Sequence, residues 1–124
     1  MHAAAKPHAG KKILLEGSIP DKKLGGLRQF VPEPERILVA LDFTMFGSAK
    51  EGAVFTPEYL IVRQFEETKR VHLGDVAGSG GPVGMLHDKV SIHTRGGATI
   101  HVPCGDHADA MAAILGAIGR HNQG

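Results

Sequence analysis

A chain of 124 residues with a formal net charge of +1 has the length of one domain and no charge excess to attract nucleic acid or anionic lipid. It contains five Phe, one Tyr and no Trp, which argues against a stacked-aromatic surface for single-stranded nucleic acid. A single cysteine excludes an intramolecular disulfide, and the short apolar runs match neither a signal peptide nor a spanning helix, so we expect a cytoplasmic protein without a cofactor.

The N-terminal region divides into a flexible segment and a short helix. Residues 1–17 are rich in Ala, Lys, His and Gly and are predicted to be flexible, leaving 18–124 as the folded domain. Ser18 is a suitable N-cap and Pro20 suits the first turn of a helix. Gly25-Gly26 costs this helix about 2 kcal/mol relative to two alanines. We therefore expect a short helix that depends on docking through Leu24, Leu27 and Val31.

From Arg36 onward the pattern changes to short apolar runs separated by turn residues, which is typical of an antiparallel sandwich or barrel. The run 37–43 is apolar enough for a strand that is buried on both faces. The Gly-rich stretch 74–84 is predicted to be a loop with room for a brief strand. The predicted strands are 37–43, 53–56, 59–65, 69–73, 89–95 and 99–103.

The last two strands form a predicted hairpin whose register follows from its apolar residues. A three-residue loop at 96–98 places Ile92 opposite Val102, whereas a two-residue loop would pair apolar with polar side chains. In this register His93 lies directly opposite His101 on the outer face.

The C-terminal segment 106–120 predicts an amphipathic helix, with Asp106 as its N-cap. Its apolar stripe (Met111, Ile114, Leu115 and Ile118) must be buried on the sheet. The other side carries small residues, which favour the close approach of another backbone. That backbone belongs either to the N-terminal helix or to a second subunit, in which case the oligomer face consists of Ala112, Ala113, Gly116 and Gly119.

The order of these elements resembles the pleckstrin-homology (PH) superfold, in which about seven antiparallel strands precede one C-terminal helix. Residues 37–60, with a strand, a Gly-containing connection and a Gly-x-x-Phe-Thr strand, resemble bacterial PH-like and GRAM-like modules. The resemblance covers about residues 36–120. It implies an α+β, mostly β domain, a PH-like barrel or sandwich capped by the helix, that binds a partner and is not an enzyme.

The connection 44–52 is the candidate contact surface. Met45 and Phe46 are large apolar residues there, and Lys50 is the cation that accompanies them. They contact a partner or a membrane surface, or they fold back over the barrel. Phosphoinositide-binding PH domains carry several cations in this connection, and this chain departs from them.

Histidine and cysteine near the last hairpin suggest a metal site, with His93, His101, Cys104 and His107 as candidate ligands. The alternative is that Cys104 points into the core and that eight histidines cluster by chance. Cys104 beside a histidine lacks a dedicated oxyanion site, and the Gly-rich stretch lacks the Gly-Lys-Ser/Thr of a phosphate loop.

The sequence therefore predicts a non-catalytic, PH-like protein-binding module that self-associates through strand edges or the helix face. One alternative is a GRAM-like peripheral membrane module that uses Met45 and Phe46 together with the cations of Lys50, Lys22 and Lys23. The other alternative is a small metal-binding protein that uses residues 93–107.

Overall fold

The computed structural model describes residues 13–32, 35–44, 49–64, 67–83, 89–103 and 107–123. They form an α+β fold that consists mostly of strands, as the sequence predicts. A 3-10 turn, Leu73–Asp75, links the fifth and sixth strands. The elements are β1 (Ile13–Leu15), α1 (Asp21–Leu27), β2 (Val39–Asp42), β3 (Gly52–Phe55), β4 (Tyr59–Gln64), β5 (Glu67–His72), β6 (Val76–Val83), β7 (Lys89–Thr94), β8 (Thr99–Pro103) and α2 (Ala108–Gln123).

The strands form two antiparallel sheets. The first has the order β1-β2-β3-β4-β5 and the second the order β6-β7-β8. Each strand pairs with its neighbour in the chain, so the sheets are two successive meanders. The ladders of the described residues stay within each sheet, and the strands therefore do not close into a barrel.

The main hydrophobic core lies between the two sheets and α2. Alternate residues of the first sheet face this core, because side chains of a strand alternate between its faces. The stripe of α2 completes it, as the helical spacing predicts. The largest buried members of this cluster are Leu41, Phe55, Leu60, Ile92, Met111, Ile114 and Leu115.

A second hydrophobic cluster covers the opposite face of the first sheet. Leu27 and Val31, from α1 and the turn that follows it, are buried there against Ala40, Val54 and Ile61. All four residues of β2 are buried, so the expected strand with two covered faces is confirmed. The fold thus adds an N-terminal layer to the two sheets and α2.

The N-terminal expectations need two corrections. The predicted flexible segment 1–17 overlaps β1, because Ile13–Leu15 pairs with β2 and Glu16 N donates to Leu38 O at 2.9 Å. Ser18 does not cap α1: the N-cap is Pro20, which makes no side-chain capping bond. Proline fixes its own φ near the required value, so the chain can enter the helix without a polar cap.

The predicted loop at 74–84 is mostly strand, and the brief strand that the prediction allowed there is eight residues long. Residues 76–83 form β6, which pairs with β7 through two register irregularities. The helix α2 lies close to this strand: a Cβ at Gly119 of α2 would lie 2.9 Å from Ala77 O and 3.1 Å from Gly78 Cα. The contact therefore requires glycine at Gly119 in the helix, whereas a Cβ at Gly78 of β6 would meet no atom within 4 Å.

The apolar side chains of the final hairpin lie on the buried face, as predicted, but the two strands pair in a different register. Ile92 lies opposite Ile100, and His93 lies opposite Thr99, so His93 and His101 are not a directly opposed pair. The loop is centred one residue earlier than expected, at 95–97, with Thr94 N donating to Ala98 O at 2.9 Å. Gly97 has φ +90°, which the three-residue hairpin loop with a left-handed residue requires. The apolar pattern determines which face of a strand is buried. It does not determine the register, because a two-residue shift in cross-strand pairing leaves every side chain on the same face.

Candidate functional site

The candidate site is an open cleft of about 560 Å³ at one end of the first sheet. Four stretches of chain meet there: the turn after α1, the connection between β2 and β3, the end of β4 and the start of β5. The lining residues are Gln29, Phe30, Thr44, Lys50, Glu51, Arg63 and Thr68.

The turn after α1 supplies one wall of the cleft. Gln29 N donates to Gly26 O at 3.2 Å and Phe30 N to Leu27 O at 3.1 Å, so both residues continue the last helical turn. The Arg28 guanidinium holds the following segment by donating to the Pro32 carbonyl oxygen at 2.6 Å. Phe30 is partly buried against the second hydrophobic cluster. This wall is consequently fixed by the docking of α1.

The described ends of the connection between β2 and β3 (43–44 and 49–51) supply the opposite wall, and Asp42 organises it. Asp42 Oδ1 accepts hydrogen bonds from Thr44 N at 2.8 Å and from Thr44 Oγ1 at 2.5 Å. Thr44 Oγ1 in turn accepts from Ala49 N at 3.2 Å. Ala49 is fully buried with φ 56°, a left-handed conformation that costs a non-glycine residue about 1–2 kcal/mol. The Asp42–Thr44 bonds hold this strained residue in place.

A buried ion pair connects these two walls. Lys23 Nζ of α1 donates to Asp42 Oδ2 at 2.6 Å, and the two side chains are 14% and 1% exposed. Burial alone would raise the pKa of the Asp42 carboxyl, but the hydrogen bonds from Lys23 and Thr44 outweigh it and lower that pKa below its ordinary value. Asp42 is therefore ionised at neutral pH and holds α1 against the end of β2.

The remaining lining residues give the cleft its binding chemistry. Lys50 is exposed, and the half-buried Arg63 donates from Nη1 to Thr68 Oγ1 at 3.1 Å. Together with Gln29 and Glu51 they provide hydrogen-bond donors and acceptors and charges of both signs. This arrangement suits the recognition of a polar chain segment.

Of the three sequence-predicted contact residues, Lys50 lines the cleft, whereas Met45 and Phe46 lie outside the described residues. No sequence pattern points to Gln29, Phe30 or Arg63 as site residues. The alternation of Tyr59, Ile61 and Arg63 places them on one face of β4, but no local pattern indicates that this face meets the turn after α1.

The candidate metal ligands do not gather among the described residues. His93 Nδ1 lies 3.4 Å from Thr99 Oγ1, and His101 Nδ1 lies 3.3 Å from Ser91 Oγ. His107 instead stacks on Phe43, and its Nε2 lies 3.1 Å from the Asp42 carbonyl oxygen. No group of three or more metal-binding side chains occurs in the part of the chain that is described, and Cys104 lies outside it.

The small-residue side of α2 is partly occupied within the chain. Gly119 is buried against β6, which is neither the N-terminal helix nor a second subunit, the two neighbours considered from sequence. Ala112 packs on the main core, while Ala113 and Gly116 are half-buried. α1 lies on the other face of the first sheet and does not explain the glycines of α2.

A second cavity of about 500 Å³ lies between the last turn of α2 and the turns at 57–58 and 73–74. It has an apolar floor that includes Leu73 and Ile118, with His72 and His121 at its polar side. Asn122 closes one end by donating to Leu73 O at 2.7 Å and to Val76 O at 2.8 Å.

Neither helix of the described residues has the length and hydropathy needed to cross a bilayer. Comparison of the chain with family models, with curated proteins and with solved structures found no match.

Proposed function

We propose that this chain is a non-catalytic binding module of PH-like architecture that recognises a protein partner through the polar cleft. The order of elements supports the architecture, since the meander β2–β5, the strands β6–β8 and the C-terminal helix α2 follow the order of the PH superfold. The strand β1 and the helix α1 are additions to that order.

The composition of the cleft carries the proposal. Its walls bring an amide, two hydroxyls, a carboxylate and the cations of Lys50 and Arg63 together beside the ring of Phe30. Polar side chains around an aromatic ring match the chemistry of a polypeptide, which offers backbone amides, carboxylates and apolar groups at once. We infer that the exposed Lys50 ammonium pairs with a carboxylate of the partner.

The competing functions have less support. Lys23, which the membrane alternative requires at the surface, is engaged with the buried Asp42 carboxylate. Self-association through the edge of β5 would have to accommodate the exposed Lys69 and Arg70, and charged residues on an edge strand oppose pairing with another copy.

Site-specific photocrosslinking in the native host tests the proposal. A photoreactive amino acid at Lys50 should yield a discrete crosslinked protein, while the same probe at the exposed Lys89 of the second sheet should not. The purified partner should then lose at least about tenfold in affinity for Lys50→Glu, the loss typical of a reversed charge pair. Identical products from both positions, or sedimentation with anionic vesicles that depends on Lys50, would contradict protein recognition at the cleft.

A further inference from the structure

We propose that α1 and the cleft are one coupled unit, so that the cleft exists only while α1 is docked on the first sheet. This regulation rests on the proposed function of the cleft. Gln29 and Phe30 line the cleft from the turn directly after α1. When α1 leaves the sheet, this wall leaves with it.

A continuous set of hydrogen bonds joins α1 to the far wall. Lys23 Nζ donates to Asp42 Oδ2 at 2.6 Å, and Asp42 Oδ1 accepts from Thr44 N at 2.8 Å. Thr44 Oγ1 then accepts from Ala49 N at 3.2 Å, next to Lys50. Because one carboxylate binds both the helix and the connection, loss of Lys23 leaves a buried charge beside Thr44 without its cation. Both walls should loosen together.

The docked state of α1 depends on contacts with the first sheet rather than on the intrinsic stability of the helix. The helix has seven residues and no side-chain N-cap bond, and isolated helices below about 12–15 residues are marginal in water. Gly25 and Gly26 lower its intrinsic helicity further. Its attachment depends on the buried Leu27 and Val31, on the partly buried Ile19, Leu24 and Phe30, and on the Lys23–Asp42 pair. Because the isolated helix is marginal, α1 should lose its helical structure when these contacts are lost.

The consequence is reciprocal coupling. A partner that binds the cleft selects the docked state of α1, and release of α1 lowers the apparent affinity of the cleft in proportion to the docked fraction. Binding and release can thereby be controlled from α1, without any change at Lys50 or Arg63.

Amide hydrogen exchange of the unliganded protein tests the coupling separately from the function of the cleft. Lys23→Met should accelerate exchange at Leu24 in α1 and at its C-cap Arg28, and at Thr44 and Ala49 in the connection, by at least about tenfold. Lys22→Met, at the exposed neighbouring position, should leave these amides unchanged. Faster exchange in α1 with unchanged exchange at Thr44 and Ala49 would overturn the proposal.

A stabilising variant tests the coupling between α1 and the connection even if Lys23→Met fails to fold. A Cβ at Gly25 would meet no atom within 4 Å, so Gly25→Ala should slow exchange in α1 about fivefold through helix propensity. Coupling predicts the same slowing at Thr44 and Ala49. Gly96→Ala, at an equally open position of the β7–β8 loop, should change neither group. Slowing confined to α1 would show that the two walls move independently, whatever the cleft binds.

Discussion

The two helices of this protein pack on sheets in different ways. The helix α2 has sixteen residues, buries a stripe of four apolar side chains and places Gly119 against the β6 backbone. The helix α1 has seven residues, two adjacent glycines and one buried ion pair. Glycine serves close approach in α2, whereas at Gly25 in α1 the space around it is open. The difference indicates that α2 belongs to the global fold and α1 to a local, separable layer.

Truncation of one buried leucine in each helix should separate the layers most clearly. Leu115 and Leu27 are both fully buried. Leu115→Ala should lower the free energy of unfolding by about 2–5 kcal/mol, the usual cost of such a cavity. Leu27→Ala should lower the free energy of unfolding by less. If the α1 layer can open by itself, the decrease cannot exceed the free energy with which that layer docks on the sheet. Urea denaturation followed by circular dichroism measures both, and equal losses would make α1 an integral part of the fold.

Two glycines within α2 should respond with opposite signs. Gly119→Ala places a Cβ 2.9 Å from Ala77 O, a backbone atom that cannot move alone. Overpacking of about 1–3 kcal/mol should outweigh a propensity gain of about 1 kcal/mol, so we expect lower thermal stability. At Gly116 the nearest atom is Arg120 Nη1 at 3.3 Å, the end of a flexible side chain. Gly116→Ala should therefore raise the unfolding temperature, and a rise for Gly119→Ala as well would refute the assigned close contact.

Acid should weaken the α1 layer through Asp42. The pKa of its carboxyl is lowered in the folded state, so its stabilising contribution is present above the ordinary carboxyl pKa of about 4 and is lost as pH falls through the lower folded value. The free energy of unfolding should decline below about pH 4, with a flatter profile for Asp42→Asn. Asp21→Asn, an exposed carboxylate in the first turn of α1, is the control and should keep the wild-type slope. Matching slopes in all three proteins would remove Asp42 as the acid-sensitive group.

Elements with one dominant local signal were predictable from sequence. The apolar stripe of α2 and the doubly buried β2 follow from spacing alone. β6 was not predictable, because its Gly-rich composition is typical of a loop and its packing partner α2 is distant in sequence, as the 33-residue separation of the Ser79–Ala112 hydrogen bond illustrates. The residue type of Ser18 predicts a cap, but Pro20 is the N-cap of α1 and makes no side-chain capping bond.

The site was predictable only in part. Lys50 stood out because it is the cation of a connection that otherwise lacks cations. Arg63 and Gln29 carry no such local signal, since they become neighbours only when β4 and α1 approach the same connection. The Lys23–Asp42 ion pair was not predictable either. Spacing shows that Asp42 ends an apolar strand, but it does not show that Lys23, nineteen residues earlier, supplies the cation.

The contact between Gly119 and β6 also limits how another polypeptide can bind. A peptide could in principle extend the second sheet by adding a strand along β6. Here the Asn122 side-chain amide donates to Val76 O, and Ser79 Oγ donates to Ala112 O at 3.3 Å. Gly119 of α2 also lies close to Ala77 O. An incoming strand would have to lift the last turns of α2 from the main core. Peptide ligands are thereby directed away from β-augmentation at this edge and toward surfaces that side chains define.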